Sequence, residues 1–337
     1  MIISTDLSPW PSDALGEEGA EPGADQLEQR QLLVGPGLHG WRLDRALAQC
    51  LPEFSRSYLQ QRIEAGDVRL GALCAAKSAV KVRQGQQVEV TLRPTPQSQA
   101  FTPQDLPIET VYADEHIRVV NKPAGLVVHP APGNWQGTLL NGLLALDPVT
   151  LNLPRAGIVH RLDKDTSGLM VVARSRAAMD ALVRMIAARE VGRQYLALGH
   201  RRWSGPSARV VEAAIGRDPL HRLRMAVVDL TRHPGKSART DFQCLDQHEE
   251  ACLVLCRLHT GRTHQIRVHM ASIGHPLLAD ALYGGAAMAG MQRQALHAWR
   301  LDLNHPVTGQ SLHWQSEIPT DMQLAMQELG LRYNGQE

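Results

Sequence analysis

Gly157-Ile158-Val159-His160-Arg161-Leu162-Asp163-Lys164-Asp165-Thr166-Ser167-Gly168 runs directly into Leu169-Met170-Val171-Val172-Ala173. A dense polar loop therefore feeds a short apolar run that reads as a buried strand. Such a junction holds a reactive group rigidly. Asp163 lies between Arg161 and Lys164 in sequence, and two flanking cations favour the carboxylate form. An oriented carboxylate can act as nucleophile or base. A structural ion pair reads equally well from this stretch alone. Outward from it, strands are expected at Ile108–Tyr112, Ile117–Asn121, Gln194–Leu198, Arg209–Ala214, Ala251–Leu258, Gln265–Val268 and Gln310–Trp314. One clear helix is expected from Ser175 to Glu190, with Ala178, Leu182 and Ile186 inward. Strand and helix do not alternate strictly, so the fold class is α+β with a mixed, largely antiparallel sheet.

The whole chain has 337 residues, 43% of them hydrophobic, enough for at least one full core and excluding a wholly disordered or fibrous chain. No apolar run approaches the length of a membrane helix. The N-terminus lacks the basic start and apolar stretch of a signal peptide. Five cysteines, unevenly placed, fit a reducing compartment better than a disulfide framework. The expectation is a cytoplasmic protein. The net charge of +1 hides an asymmetry. Residues 1–37 carry seven acids and one base, whereas 155–267 carry 20 bases and 11 acids. Arginines number 30 and lysines 5. Arg forks suit phosphates and base edges, although a GC-rich genome gives the same bias.

Residues 1–30, acidic and broken by Pro and Gly, read as a disordered tail. Residues 31–93 read as a small basic module. Leu43, Ala46, Leu47 and Leu51 recur at helical spacing, Ser55 caps a second helix and Gly66 ends it. Short strands follow at Val68–Leu70 and Gln87–Leu92. Arg56 and Arg62 on the second helix suit RNA phosphates or simply a solvated face. Residues 94–107, with four prolines, read as a linker. A larger domain spans 108–325, and 326–337 form a C-terminal tail.

Two other motifs are weak. Gly35-Pro36-Gly37-Leu38-His39-Gly40 matches a dinucleotide-binding pattern, but Pro36 removes a backbone donor and no βαβ series follows. His259, His264 and His269 with Cys252 and Cys256 suggest zinc. On a strand, however, a five-residue step alternates faces, so no tetrahedral site closes. No metal is expected.

The motif His160-Arg161-Leu162-Asp163-Lys164-Asp165-Thr166-Ser167-Gly168 resembles the active-site motif of the RluA-type pseudouridine synthases. Three further stretches resemble that family in the same order. They are Val119-Val120-Asn121-Lys122-Pro123-Ala124-Gly125-Leu126-Val127-Val128-His129-Pro130, Arg193-Gln194-Tyr195-Leu196-Ala197, and Thr260 to Ala271 with Gly274-His275-Pro276-Leu277. The module at 31–93 resembles an S4 RNA-binding domain through Arg42-Leu43-Asp44 and Ser55-Arg56-Ser57, departing from that pattern at Leu70-Gly71-Ala72. The resemblance implies a pseudouridine-synthase fold preceded by an S4 domain. It implies conversion of uridine to pseudouridine in 23S ribosomal RNA or its large-subunit precursor, in the helix 69 stem-loop. No nucleotide or other cofactor is implied, no membrane, and a monomer is expected.

By the same resemblance Asp163 is the catalytic carboxylate, by attack at C1′ or by removal of the 2′ proton. Arg267 pairs with it. Tyr195 stacks on the flipped base, unless it is a core tyrosine. Ile266 walls the base. Arg161 fills the gap left by the base or binds phosphate. His160 and Arg262 join the substrate contacts, with Arg56 and Arg62 in the S4-like module. A catalytically inactive ribosome-assembly factor on the same scaffold and a synthase for transfer RNA are the alternatives.

Overall fold

In the computed structural model the described residues are 28–71, 73–75, 77–93, 100–221 and 224–333. The expected tail over 1–27, the linker at 94–99, Ala72 of the departing turn and residues 334–337 lie outside them. The chain divides into two compact units, 1–95 and 96–337.

In the first unit, β1 (Glu28–Leu33), β4 (Gln87–Leu92), β2 (Val68–Leu70) and β3 (Leu73–Cys74) form an antiparallel sheet in that order. The strand β1 begins at Glu28, inside the stretch expected to be disordered, because Glu28 pairs with Leu92 across the sheet. Helices α1 (Leu43–Cys50) and α2 (Arg56–Glu64) bury Leu43, Leu47, Leu59 and Ile63 against Val68, Val88 and Val90. Ser55 caps α2 by accepting from Tyr58 N.

The motif residues of this unit are spent internally. Asp44 is fully buried, and its carboxylate accepts from Arg42 Nε (3.1 Å), Arg56 Nη2 (2.8 Å) and Gln60 Nε2 (2.6 Å). Burial alone raises its pKa, but those bonds outweigh burial and hold it well below the usual carboxylate range. Arg62, expected at RNA phosphates or on a solvated face, bonds Asp67 at 3.1 Å and lies over the Tyr58 ring. Arg56 and Arg62 thus each pair with a nearly sealed carboxylate, while the Arg56 side chain stays about half exposed.

The second unit is built on one sheet in the order β5 (Glu109–Ala113), β6 (Ile117–Lys122), β7 (Ser167–Ala173), β14 (Leu296–Asn304), β8 (Gly192–His200), β13 (Ala251–Leu258), β12 (Arg239–Gln247) and β9 (Ala208–Glu212). A further strand, β15 (Ser311–Gln315), pairs with β14 off this path. Every pairing is antiparallel except β7 with β14, which run parallel over Ser167–His297 and Gly168–Ala298. The sheet is therefore mixed and largely antiparallel, as the sequence pattern predicts. A small hairpin, β10 (Ile215–Arg217) and β11 (Met225–Val227), stands apart.

Strand β7 is buried along its whole length. Met170 and Val172 pack with α3 (Leu139–Leu146), while Leu169 and Val171 pack with α4 (Arg176–Ala188). Burying these four side chains contributes roughly 6–12 kcal/mol before chain entropy is counted. Further along the second face, α6 (Thr320–Glu328) seats Met322 and Met326 on Leu198, Leu253 and Trp299. Leu331 is buried there too, and Tyr333 meets Trp299 edge-on. The expected C-terminal tail is thus core as far as 333. Similarly, Ala100 and Thr102, expected in the linker, are fixed by Asn141 Nδ2 donating to both carbonyls.

One strand expectation fails. Residues 265–268 lie in helix α5 (Gln265–Ser272). The alternation Gln-Ile-Arg-Val-His imitates a period of two, but the contacts follow a period near four. Gln265 and His269 both bond Thr240 of β12, while Ile266 and Met270 both enter the apolar core.

Two buried histidines tie the polar loop to this sheet. His160 Nε2 accepts from Val171 N at 3.1 Å. His297 meets Ser167 Oγ (2.9 Å) and Ser316 Oγ (2.8 Å) through its two ring nitrogens. Burial pushes His160 down to about 3 and His297 down to about 4. Both stay neutral in the folded protein while the unfolded chain takes up protons below pH 6.5. Stability therefore falls as pH drops from about 6.5 toward 4, by up to about 1.4 kcal/mol per pH unit for each ring. Urea unfolding of the parent and of His160→Gln across this range checks it, the variant showing the flatter profile. In the first unit, Arg56→Ala is expected to lower stability by roughly 1.5–3 kcal/mol at pH 7. Its urea midpoint approaches that of the parent once the pH falls through the depressed Asp44 pKa and the carboxylate is protonated.

Candidate active site

The polar loop between Gly157 and Gly168 is pinned from behind at several points. Gly157 has φ +76, and a Cβ there would sit 2.0 Å from Ala173 O. Gly168 has φ +116, with Ala298 O only 2.2 Å from any added Cβ. Neither position admits a side chain. Lys122 is completely buried, and its Nζ donates to Pro123 O (2.8 Å), Leu126 O (2.9 Å) and Lys164 O (2.9 Å). Burial pushes this ammonium down to about 7, with Asp165 and Asp163 pulling the other way. Gly125 N also reaches Lys164 O, and Arg293 Nη1 donates to Asp165 O at 3.0 Å. The Lys122 motif and the Asp163 motif, 41 positions apart in sequence, thus form one backbone junction.

The junction presents Asp163, which Arg267 reaches from α5, with Nη1 3.1 Å from Oδ2. The remaining guanidinium edge faces Asp280, with Nε 2.7 Å from Oδ2 and Nη2 2.8 Å from Oδ1. Burial works against the Arg267 cation, but Asp280 and Asp163 outweigh it and raise its pKa. Asp163 Oδ1 faces His264 Nε2 at 3.9 Å, beyond hydrogen-bond reach. His264 precedes α5 in a left-handed conformation, φ 56. Its Nδ1 lies 2.8 Å from Tyr283 Oη, and the Tyr283 ring lies under the Arg267 guanidinium.

Tyr195 comes up from β8 on the same face. It is buried, its hydroxyl has no partner among the described residues, and burial pushes its pKa up to about 12, with Asp163 adding to the rise. Ile266 is buried in the adjoining core. Arg161 is exposed, and its charge, like that of Arg155, adds to the burial that pushes His129 down to about 4.

The other two residues expected among the substrate contacts sit away from Asp163. His160 is not at the open side of the loop, because its ring is sealed against Val171. Arg262 is turned toward Ser237 O, to which its Nε donates at 3.1 Å. Asp280 and Tyr283 belong to the site and are not singled out by the sequence pattern, and His264 is weighed there only as a zinc ligand. Asp280 does leave a signal, as the only Asp, Glu, Lys or Arg between 268 and 292. Among the described residues no three His, Cys, Asp or Glu converge to hold a metal ion. His264 and His269 are expected on a strand. Instead they flank and enter α5, where His269 bonds Thr240 and Ala213 O.

An acid–arginine–acid chain beside a partnerless tyrosine can hold and move a proton or attack a sugar carbon. Comparison with known proteins agrees. Residues 116–272 match the RNA pseudouridylate synthase family. A Nitrosomonas europaea protein named ribosomal large subunit pseudouridine synthase D is 47% identical over 89% of this chain and 87% of its own length. A Xanthomonas campestris protein of the same name is 43% identical over 94% and 96%. Among solved structures, human RNA pseudouridylate synthase domain containing 4 superposes with a TM-score of 0.54 and 26% identity, covering 67% of this chain and 94% of that one. On the family match, these relatives and the shared fold, the chain belongs to the RluA-type family of RNA pseudouridine synthases.

Proposed function

We propose that this protein isomerises uridines of 23S ribosomal RNA, in the helix 69 stem-loop of the large subunit, to pseudouridine. The observation that carries the chemistry is the Asp163–Arg267–Asp280 chain with Tyr195 beside it. The ribosomal target is supported by the names of the relatives. The reaction breaks the N1–C1′ bond, turns the base and joins C5 to C1′. The C5 proton leaves and N1 gains one, so no redox equivalent is consumed and no nucleotide cofactor is needed. Asp163 serves at C1′ or at the 2′ proton. Arg267 compensates its charge, and Asp280 fixes the guanidinium so that Nη1 alone is left for Asp163. Tyr195 offers its ring to the flipped uracil and its hydroxyl to the departing proton, with Ile266 as apolar wall. Extruding the uridine costs a few kcal/mol, less in a loop than in a helix. Arg161, exposed on the loop, fills the space the base vacates or binds a phosphate.

The first unit is proposed as the S4-type RNA clamp, residues 31–93, and 108–325 as the catalytic domain. No helix among the described residues is long and apolar enough to cross a membrane. The proposed setting is the cytoplasm, with the protein acting as a monomer.

Tritium release from C5-labelled large-subunit RNA tests the reading. The parent releases tritium, and Asp163→Asn is expected to release none while keeping RNA affinity. Helix 69 that keeps its tritium, or lost pseudouridine in transfer RNA instead when a strain lacking the protein is mapped, would redirect the target. Arg267→Ala is expected to be nearly as inactive, since it strands two carboxylates and costs roughly 3–5 kcal/mol. Arg267→Lys recovers little, because a point charge cannot serve both acids. Asp280→Asn leaves Asp163 in place but loosens Arg267, and is expected to slow single-turnover isomerisation roughly 10- to 100-fold, the equivalent of a charged hydrogen bond.

A further inference from the structure

Arg193 sits two residues before Tyr195 on β8, so the two side chains leave the same face of the sheet. It is only 7% exposed. Among the described residues it has no hydrogen bond or ion pair, and its Nε is sealed off with no acceptor. Nη1 and Nη2 keep an opening to the surface. A Cβ on Gly261 would lie 3.1 Å from Nη1, so the turn before α5 is cut back to make room for this guanidinium. The acids nearest along the chain or across the sheet do not serve it. Glu190 is exposed and unpaired among the described residues, and Asp302, opposite Gly192, is bonded by His313 Nδ1 at 2.8 Å. Arg262 on the same turn bonds only a carbonyl through its Nε, and Arg189 is close enough to repel it.

A nearly buried cation without a counter-charge is costly, and adding like charges makes it more so. Elsewhere in this protein buried arginines meet carboxylates, as Arg267 does with Asp280 and Arg118 with Asp147. The missing partner here is therefore an anion that arrives with the substrate. We propose that Arg193, with Arg262 and Arg189 at its rim, is a seat for one backbone phosphodiester of the RNA strand next to the target uridine. Two residues of strand separate it from Tyr195 by about 7 Å, which suits a phosphate neighbouring a base held at Tyr195. The forked guanidinium suits a phosphate's paired oxygens. The seat rests on the proposed RNA substrate and adds where the strand is held.

The test uses the full chain and a helix 69 stem-loop, measuring affinity by fluorescence anisotropy across a salt series together with thermal unfolding. Arg193→Met is expected to weaken binding and lower the slope of log affinity against log salt by about 0.7, one phosphate's worth. It is also expected to melt about 2–4 °C higher than the parent, because an unpaired buried charge is gone. Arg193→Lys is expected to keep the slope. A methylphosphonate at the one phosphate concerned should cost the parent the same slope and cost Arg193→Met nothing more. An unchanged slope in Arg193→Met, or a lower melting point, overturns the seat and makes the arginine a structural or catalytic group. Failure of the parent itself to bind or isomerise the stem-loop would instead count against the proposed function.

Discussion

Arg267 is held between two carboxylates, and the site depends on that arrangement. Asp280 takes two of its nitrogens at 2.7 and 2.8 Å, and Asp163 takes the third at 3.1 Å. Removing either acid would leave the guanidinium partly unpaired in a place that water scarcely reaches. The chain also joins separate parts of the fold. Asp163 comes from the loop before β7, Arg267 from α5, and Asp280 from the turn that follows α5. Misplacing any of the three would move the reactive carboxylate.

The rigidity of Asp163 comes from backbone geometry more than from its own contacts. Gly168 lets β7 approach β14 closely enough for the parallel junction, where a Cβ would collide with Ala298 O. Lys122 converts three carbonyls from two distant motifs into one buried knot. His160 and His297 finish the tether with neutral rings. Residues conspicuous in the motifs therefore fall into two kinds. Some, such as Asp163 and Tyr195, gather at the site, and others hold the loop from behind.

The arginines divide in the same way. Arg56 and Arg62 look free on a helical pattern but are paired with Asp44 and Asp67. Arg193, inside a strand, looks like a residue due a buried partner and has none. The count of basic residues along the chain suits a polyanion, while burial and pairing show which cations remain available for one.

The order of motifs from Lys122 through Asp163 and Tyr195 to Arg267 was legible in the sequence, because chemistry confines those residue types to fixed local spacings. So was the mixed sheet, since β7, β8 and β13 announce themselves as short apolar runs. The helical state of 265–272 was not legible, because a period of two and a period of four agree over five residues and only Thr240 and the core decide between them. Asp280 and Tyr283 lie outside the quoted motifs, and their partners are 13 or more residues away. Whether a polar residue is tool or strut was likewise decided only in three dimensions. That depends on what stands across from it, and the sequence lists residues without saying which ones face each other.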